Sequence, residues 1–293
     1  MKKFPLAFLL LALLLGACAK STPKTPKAPT AVPIHKNFNL PLAIKTGEQL
    51  VYELKVIKFP LSAVAGEVTF EYLGPVNQPK IEGLDFTAPS DRPVLHFRTK
   101  AVSRGILTRI FGISVNDRFE ALVDPMGYRS LAVVKAIEEN KKKNIQTGIF
   151  DYEKSEIQYS TKDLTKPESA PRLNTLKLES EIAELLPAFY LIRLQNLREG
   201  DLIKFPMAFD GERSDFEMVV TGHETIDAYI GNVKTIKVEP KIFGPGKLLR
   251  REGELTMWLT DDDKHQPVRA VAKVFGATVN VELIKRQNIG ERK

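Results

Sequence analysis

Leu50-Val51-Tyr52-Glu53-Leu54-Lys55-Val56 and, just beyond Gly66, Glu67-Val68-Thr69-Phe70-Glu71-Tyr72 alternate apolar with polar side chains. Successive side chains of a strand point to opposite faces, so this period describes strands with one buried face. Working outward, similar runs occupy Val94–Ala101, Asn116–Val123, Ile145–Tyr152 and Glu156–Tyr159. They recur at Leu202–Phe209, Asp215–Thr221, Val233–Glu239, Glu254–Thr260, Val268–Phe275 and Thr278–Ile284. Asp210-Gly211, Gly222, Gly231-Asn232, Gly244-Pro245-Gly246 and Asp261–Asp263 punctuate them as turns. The pattern predicts a mainly β chain: a large curved antiparallel sheet, a sandwich or an incomplete barrel, with one or two short helices packed on it.

One stretch has the other period. Ile182, Leu185, Leu186, Phe189, Tyr190, Ile192 and Leu194 recur at helical spacing within Glu179–Asn196. Glu179, Glu181 and Glu184 suit the positive end of a helix. Pro187 either kinks this helix or starts a shorter one. A helix is also expected over Val102–Phe111, weakened by Gly105. Pro75–Pro93 and Lys162–Leu178, rich in Pro, Ser, Thr and charge, read as surface loops. Residues 38–293 are expected to form a single β-rich domain.

Of the 293 residues, 43% are apolar and 27% charged, which excludes disordered, collagenous and polytopic membrane classes. A single cysteine excludes a disulfide framework and Cys-rich zinc modules. The net charge of +7 is mild for this length and spread along the chain, so nucleic acid is not an expected partner.

The N-terminus reads as an export signal. Lys2 and Lys3 precede an apolar run from Phe4 to Leu15, too short to span a bilayer, and Gly16 and Ala17 lead into Cys18. Leu15-Gly16-Ala17-Cys18 resembles a lipobox, in which cleavage leaves an acylated Cys18 as the new N-terminus. Ordinary cleavage after Ala19 is the alternative. The lipobox is preferred because the chain's one thiol stands directly after the apolar run. Residues 1–17 are then a lipoprotein signal, and 18–37 the lipidated cysteine with a Pro-, Thr- and Lys-rich tether. Pro23, Pro26, Pro29 and Pro33 favour extended polyproline II there, at about 3.1 Å per residue. Several acyl chains on Cys18 would anchor the chain firmly to a lipid bilayer. By resemblance to Gram-negative lipoproteins, Ala19-Lys20 after the cysteine favour the outer membrane, with the body facing the periplasm.

Candidates for chemistry are few. Asp261-Asp262-Asp263 lacks the alternate ligand spacing of a calcium loop and reads as an acidic hairpin turn, with Arg269 able to pair across it. His35, His96, His223 and His265 show no metal-ligand spacing, and no nucleophile elbow is present. Gly244-Pro245-Gly246-Lys247 is too short for a phosphate loop. No catalytic residue, metal or cofactor is therefore expected. Lys141–Lys143, Lys247, Arg250 and Arg251 read as a solvated basic face, with contact to anionic lipid headgroups as the functional alternative. Trp258 reads as core. Glu252, Glu254 and Asp261–Asp263 are the carboxylates to examine for hydrolysis.

Several pieces resemble a family of bacterial exported proteins known only as a domain of unknown function. They are Gly47-Glu48-Gln49-Leu50-Val51-Tyr52, Gly66-Glu67, Asp117-Arg118-Phe119-Glu120 with Asp124, and Phe150-Asp151. Leu186 to Arg193 is similar to the family's apolar-aromatic helix ending in Tyr-x-x-Arg. The most specific piece is Met257-Trp258-Leu259-Thr260-Asp261-Asp262 with Gln266-Pro267-Val268-Arg269. The chain departs from the family at Glu184-Leu185-Leu186-Pro187, where an Asp-x-x-Ser-Ala start is usual. The resemblance implies a β-rich envelope protein and supplies no activity. The expected role is non-catalytic binding of an apolar or amphipathic envelope component or a protein partner. An assembly role through edge strands ranks second, and hydrolysis of envelope polymers third.

Overall fold

A computed structural model describes residues 30–32, 44–106, 108, 112–178, 182–244, 247–249, 252–274 and 276–288. The strands in the N-terminal half are β1 (Thr30–Val32), β2 (Glu48–Lys58), β3 (Leu61–Val76), β4 (Val94–Ser103) and β5 (Asn116–Asp124). They continue with β6 (Arg129–Glu139), β7 (Lys142–Asp151), β8 (Glu156–Asp163), β9 (Arg172–Lys177) and β10 (Ala183–Glu184). Helix α1 (Leu185–Arg193) precedes β11 (Asp201–Phe209), β12 (Glu212–Ala228) and β13 (Gly231–Pro240). The last three strands are β14 (Glu254–Thr260), β15 (Pro267–Val274) and β16 (Ala277–Gln287).

The fold is mainly β. Fifteen strands follow one path, β1-β11-β12-β13-β14-β15-β16-β2-β3-β4-β5-β6-β7-β8-β9, and β10 joins β11 beside it. Among the described strands, β1 and β10 alone run parallel to their partner. β16 pairs with β2, placing Val281 opposite Leu54, so the two halves of the chain make one sheet. The path does not close: among the described residues β9 pairs with β8 alone. Register breaks at Leu54/Lys55, Tyr72/Gly74, Leu122/Val123, Val220/Gly222, Trp258/Leu259 and Leu283/Lys285 supply bulges that bend the sheet. At the β11–β12 turn, Asp210 and Gly211 both adopt positive φ (50° and 73°), as a two-residue hairpin turn requires.

The main core lies where the sheet wraps α1. Phe97, Tyr128, Leu186, Tyr190, Leu191, Met207, Met218 and Leu259 belong to one buried cluster. A smaller cluster joins Ile81 and Ala88, in the segment before β4, to Val94, Leu122, Ala132 and Val134. Strand β6 is consequently covered on both faces, and almost all of Ser130–Ile137 is buried. It was not among the expected strands, because a strand buried on both sides loses its alternation.

Three further expectations are corrected. Arg172–Lys177 lies in a stretch read as loop, yet pairs with β8 as an edge strand through its backbone while its side chains stay largely exposed. Thr30–Val32, within the stretch read as tether, lines up with Asp201–Ile203. Val102 and Ser103, expected to open a helix, end β4, and Gly105 turns the chain at φ 89°, after which Ile106 and Thr108 are helical. Leu107, Arg109, Ile110 and Phe111 lie outside the described residues.

The main helix forms but is shorter than its period suggested. Ile182–Glu184 are extended instead: the Glu184 N–H donates to Ser130 Oγ at 2.9 Å, and the Ile182 carbonyl accepts from the Ser130 N–H. Glu184 caps α1, its side chain accepting from the Leu186 N–H at 3.1 Å. Pro187 falls in the first turn, where its missing N–H would have no partner in any case, so it starts the helix without kinking it. Residues 179–181 are not described, nor are the export signal, Cys18 and the chain up to residue 29.

Candidate functional site

The inner face of the sheet does not fill. A cavity of about 240 Å³ opens there, lined on β2 by Tyr52 and Leu54 and on β3 by Val68 and Phe70. Thr99 and Ala101 on β4, Asp117 and Phe119 on β5, Leu255 and Met257 on β14, and Ala270 and Ala272 on β15 continue the wall. These are residues i and i+2 of each strand, so the period-two pattern itself delivers the lining. Leu185, Leu186 and Phe189 of α1 line it too, and Phe189 stacks on Phe70 with ring centroids 4.1 Å apart. The opposite face of β2–β4 carries cross-strand charge instead: Glu71 accepts from Arg98 at 2.6 Å and Gln49 at 3.0 Å.

Four charged side chains, Asp117, Lys135, Glu184 and Arg269, join the apolar lining. Lys135 Nζ, on β6, lies 2.8 Å from Glu184 Oε1 and 2.8 Å from Asp210 Oδ1, and 3.8 Å above the Phe209 ring. Asp210 reaches it from the hairpin turn and Glu184 from the helix cap. Burial alone would pull the Lys135 ammonium down, but the two carboxylates outweigh it and hold the pKa above its ordinary value. Lys135 therefore stays a cation, unsuited to act as nucleophile or base. Asp117 Oδ1 is bound by the Glu138 N–H at 2.8 Å.

At the other end of α1 the packing is solid. Arg193 meets Glu48 in a buried, two-pronged pair, Nη1–Oε1 2.6 Å and Nη2–Oε2 2.9 Å. Its Nε donates to the Lys264 carbonyl at 3.2 Å, and Gln266 Nε2 donates to Glu48 Oε2 at 3.3 Å. Tyr52 donates its hydroxyl to the Pro267 carbonyl at 2.8 Å. Burial outweighs Arg193's charge and pushes the Tyr52 phenol far up. Glu48, Tyr52, Arg193, Gln266 and Pro267, which come from three separate sequence motifs, thus converge on one structural node. Sequence spacing could not have joined them, because they lie on β2, on α1, and at the end of the β14–β15 connection and the start of β15.

Of the carboxylates named as candidates for hydrolysis, Glu254 and the Asp261–Asp263 turn lie at opposite ends of β14. Glu254 starts β14 beside Lys273, at 3.5 Å, and Asp261 follows the other end of that strand. Seven residues at about 3.3 Å each separate them by roughly 20 Å, far beyond the spacing of a glycosidase pair. Asp261–Asp263 form the β14–β15 turn as expected; Asp262 accepts from Thr260 Oγ1 at 2.7 Å, and Asp261 lies 3.2 Å from His223. Arg269 does not pair with this turn. It lines the cavity and reaches Glu282 at 2.8 Å on β16 and the Asp227 carbonyl at 2.6 Å. The β14–β15 bulge sets Trp258 opposite Arg269, and β15 pairs onward with β16, which puts Glu282 beside the guanidinium. Trp258 is only half buried, its indole N–H donating to Glu224 at 2.8 Å. Lys142 and Lys143 pair back to Glu139 and Glu138 across the β6–β7 turn, and Lys247 to Glu217. Among the described residues, no three His, Cys, Asp or Glu side chains gather as a metal site, and no helix is long and apolar enough to cross a membrane.

The architecture is similar to that of a β-barrel-like protein of a domain of unknown function, DUF1849, from Brucella abortus. That likeness has a TM-score of 0.52 at 9% identity and covers 84% of this chain and 99% of that one. A protein from Bacteroides fragilis described as exported, with a YmcC-like fold, aligns at a TM-score of 0.28 and 8% identity over 84% of this chain and 97% of its own. No curated protein matches the chain. The family described as Protein of unknown function (DUF3108) matches residues 81–284, from before β4 to within β16, and the chain belongs to it.

Proposed function

We propose that this chain is a non-catalytic envelope lipoprotein, held to the outer membrane through acylated Cys18, whose inner cavity takes an apolar chain of an amphipathic envelope component. The observation that carries the reading is the cavity, an apolar space of about 240 Å³ with its one lysine already held by two carboxylates. Its size is a little below the roughly 300–1,000 Å³ of drug-sized ligand sites, which suits a single alkyl chain or ring system. Each methylene buried there contributes about 0.8 kcal/mol.

The test is the intact mass of the protein extracted from its membrane in mild detergent, under denaturing and then native conditions. Acylated Cys18 is expected in the first, and a non-covalent adduct in the second. Ala270→Phe, on the lining, should weaken readdition of the extracted adduct by about tenfold or more by filling the space of several methylenes. A native mass free of adduct, together with no uptake of a fluorescent fatty acid, sinks the binding reading. An unmodified chain starting at Lys20 sinks the anchor.

An assembly role has one observation of its own. Among the described strands β9 pairs with β8 alone, and its Leu173 is 77% exposed. Cross-linking from Leu173→Cys to another envelope protein would favour it.

A further inference from the structure

Among the described residues, the polar side chains on the cavity lining are Tyr52, Thr99, Asp117, Lys135, Glu184 and Arg269. Each is already engaged within the protein. Thr99 donates its hydroxyl to the Thr69 carbonyl at 2.8 Å, as Tyr52 does to Pro267. Asp117 accepts from the Glu138 N–H, and Arg269 donates to Glu282 and to the Asp227 carbonyl. Lys135 lies between Glu184 and Asp210, and Glu184 also caps α1. A buried group with its bond in place gains little by exchanging it for the head of a ligand. The partner it deserts is left unpaired, which costs more than the new bond returns.

Charge gives no sign preference either. Of the four charged side chains on the lining, two are acidic and two basic. The charges next to the lining in sequence also pair among themselves. Glu67, beside Val68, meets Arg104 at 2.7 Å, and Glu254, beside Leu255, meets Lys273, beside Ala272, at 3.5 Å. What is left to select an occupant is the size of the apolar wall. Ala101 on β4 and Ala270 and Ala272 on β15 give that wall only methyl groups, while Phe70 and Phe189 close on each other in a stack. A methylene needs about the 30 Å³ that a water molecule takes up, so a space of about 240 Å³ holds about eight of them. Carbons beyond that number stay outside, where burial no longer adds to affinity.

We infer that the cavity selects its occupant by the length of one alkyl chain, of which it takes in about eight carbons, and is indifferent to the head that chain carries. This rests on the reading of the cavity as a site for an apolar chain, and adds what that site discriminates.

The experiment is displacement of a fluorescent fatty acid from the full chain in nanodiscs, with empty nanodiscs as the blank and free ligand concentrations matched by dialysis. The competitors are alkyl carboxylates, alkyltrimethylammonium ions and alkyl maltosides, with chains from about 6 to about 14 carbons. Affinity should rise about fourfold per methylene up to about eight carbons and then level, with the three heads within about threefold of one another at each length. Ala270→Leu adds three carbons to the wall and should end the rise about three carbons earlier; Met257→Ala removes three heavy atoms and should end it about three later. The two variants act in opposite directions, so either one that folds tests the ruler. A rise that runs unbroken to the longest chain, as partition into a bilayer would give, overturns the inference, and so does a break that no folded variant moves. A preference for one head beyond about threefold also overturns it, and Lys135→Met and Asp117→Asn would then show which lining group reads the head. In each of these results the fluorescent fatty acid still binds and the cavity reading stands. No uptake of it by the unaltered chain removes that reading and the inference together.

Discussion

The two ends of α1 hold their buried charges in different ways. At the C-terminal end, Arg193 is wholly buried and spends its donors on Glu48 and the Lys264 carbonyl, with Gln266 adding a bond to the same carboxylate. At the N-terminal end, Lys135 meets Glu184 and Asp210 beside open space, and Asp210 keeps 24% of its side chain exposed. Both arrangements suit the helix dipole, with a carboxylate at the start and a guanidinium at the finish. The first is a clamp that pins α1 to β2. The second lies on the lining of the cavity. Charge thus fixes both ends of α1, while between them Phe189 stacks on Phe70 at the cavity wall.

The largest expected effect comes from breaking the clamp. Arg193→Met leaves Glu48 buried without its partner and should cost about 3–5 kcal/mol in urea unfolding. Adding Glu48→Leu should recover much of that loss, since removing both charges also removes the desolvation penalty. If the single and double variants are equally unstable, the clamp is not the source of the stability. Lys135→Met leaves Glu184 buried without its partner, but Asp210 can turn toward water, so the cost should fall at the low end of that range, about 3 kcal/mol. A loss as large as that of Arg193→Met would erase the distinction between the two ends.

A smaller effect concerns pH. His265 Nδ1 lies 3.0 Å from the Arg193 carbonyl, and burial holds its pKa below the ordinary value despite that bond. The unfolded chain therefore takes up this proton more readily than the folded one. The stability His265 contributes is complete above the unfolded pKa of about 6.5 and is lost as pH falls through the lower folded value. Unfolding free energy should decline on acidification from neutral pH, and His265→Gln should flatten that decline without altering the N-terminal end of α1. An unchanged slope would separate His265 from the clamp.

Most strands could be read from alternation because most have one covered face. Glu254–Thr260 was bounded to the residue, since its ends are marked by Gly253 and the Asp turn. Strand β6 was missed for the opposite reason, being covered on both sides, and β9 because, Leu176 apart, its side chains are exposed. Ala183-Glu184 carried a helical period and became strand, because Ser130 and β11 offered their backbone better bonds than another helical turn. Arg269 was assigned to the wrong acidic partner, because proximity along a hairpin is visible in sequence and the neighbour across the next strand is not.

By itself, the sequence determined that this protein is β-rich, where most of its strands lie, and that one helix interrupts them. It carries the export and Cys18 expectations as well. Tertiary structure alone decided that the inner face should stay open, that Lys135, Glu184 and Asp210 should meet there, and that Glu48 and Arg193 should close the far end. The reason is that periodicity encodes which face of a strand is apolar, a local property of neighbouring residues. Whether those faces press together or stand apart depends on bulges, register and buried charges contributed by residues far apart in the chain.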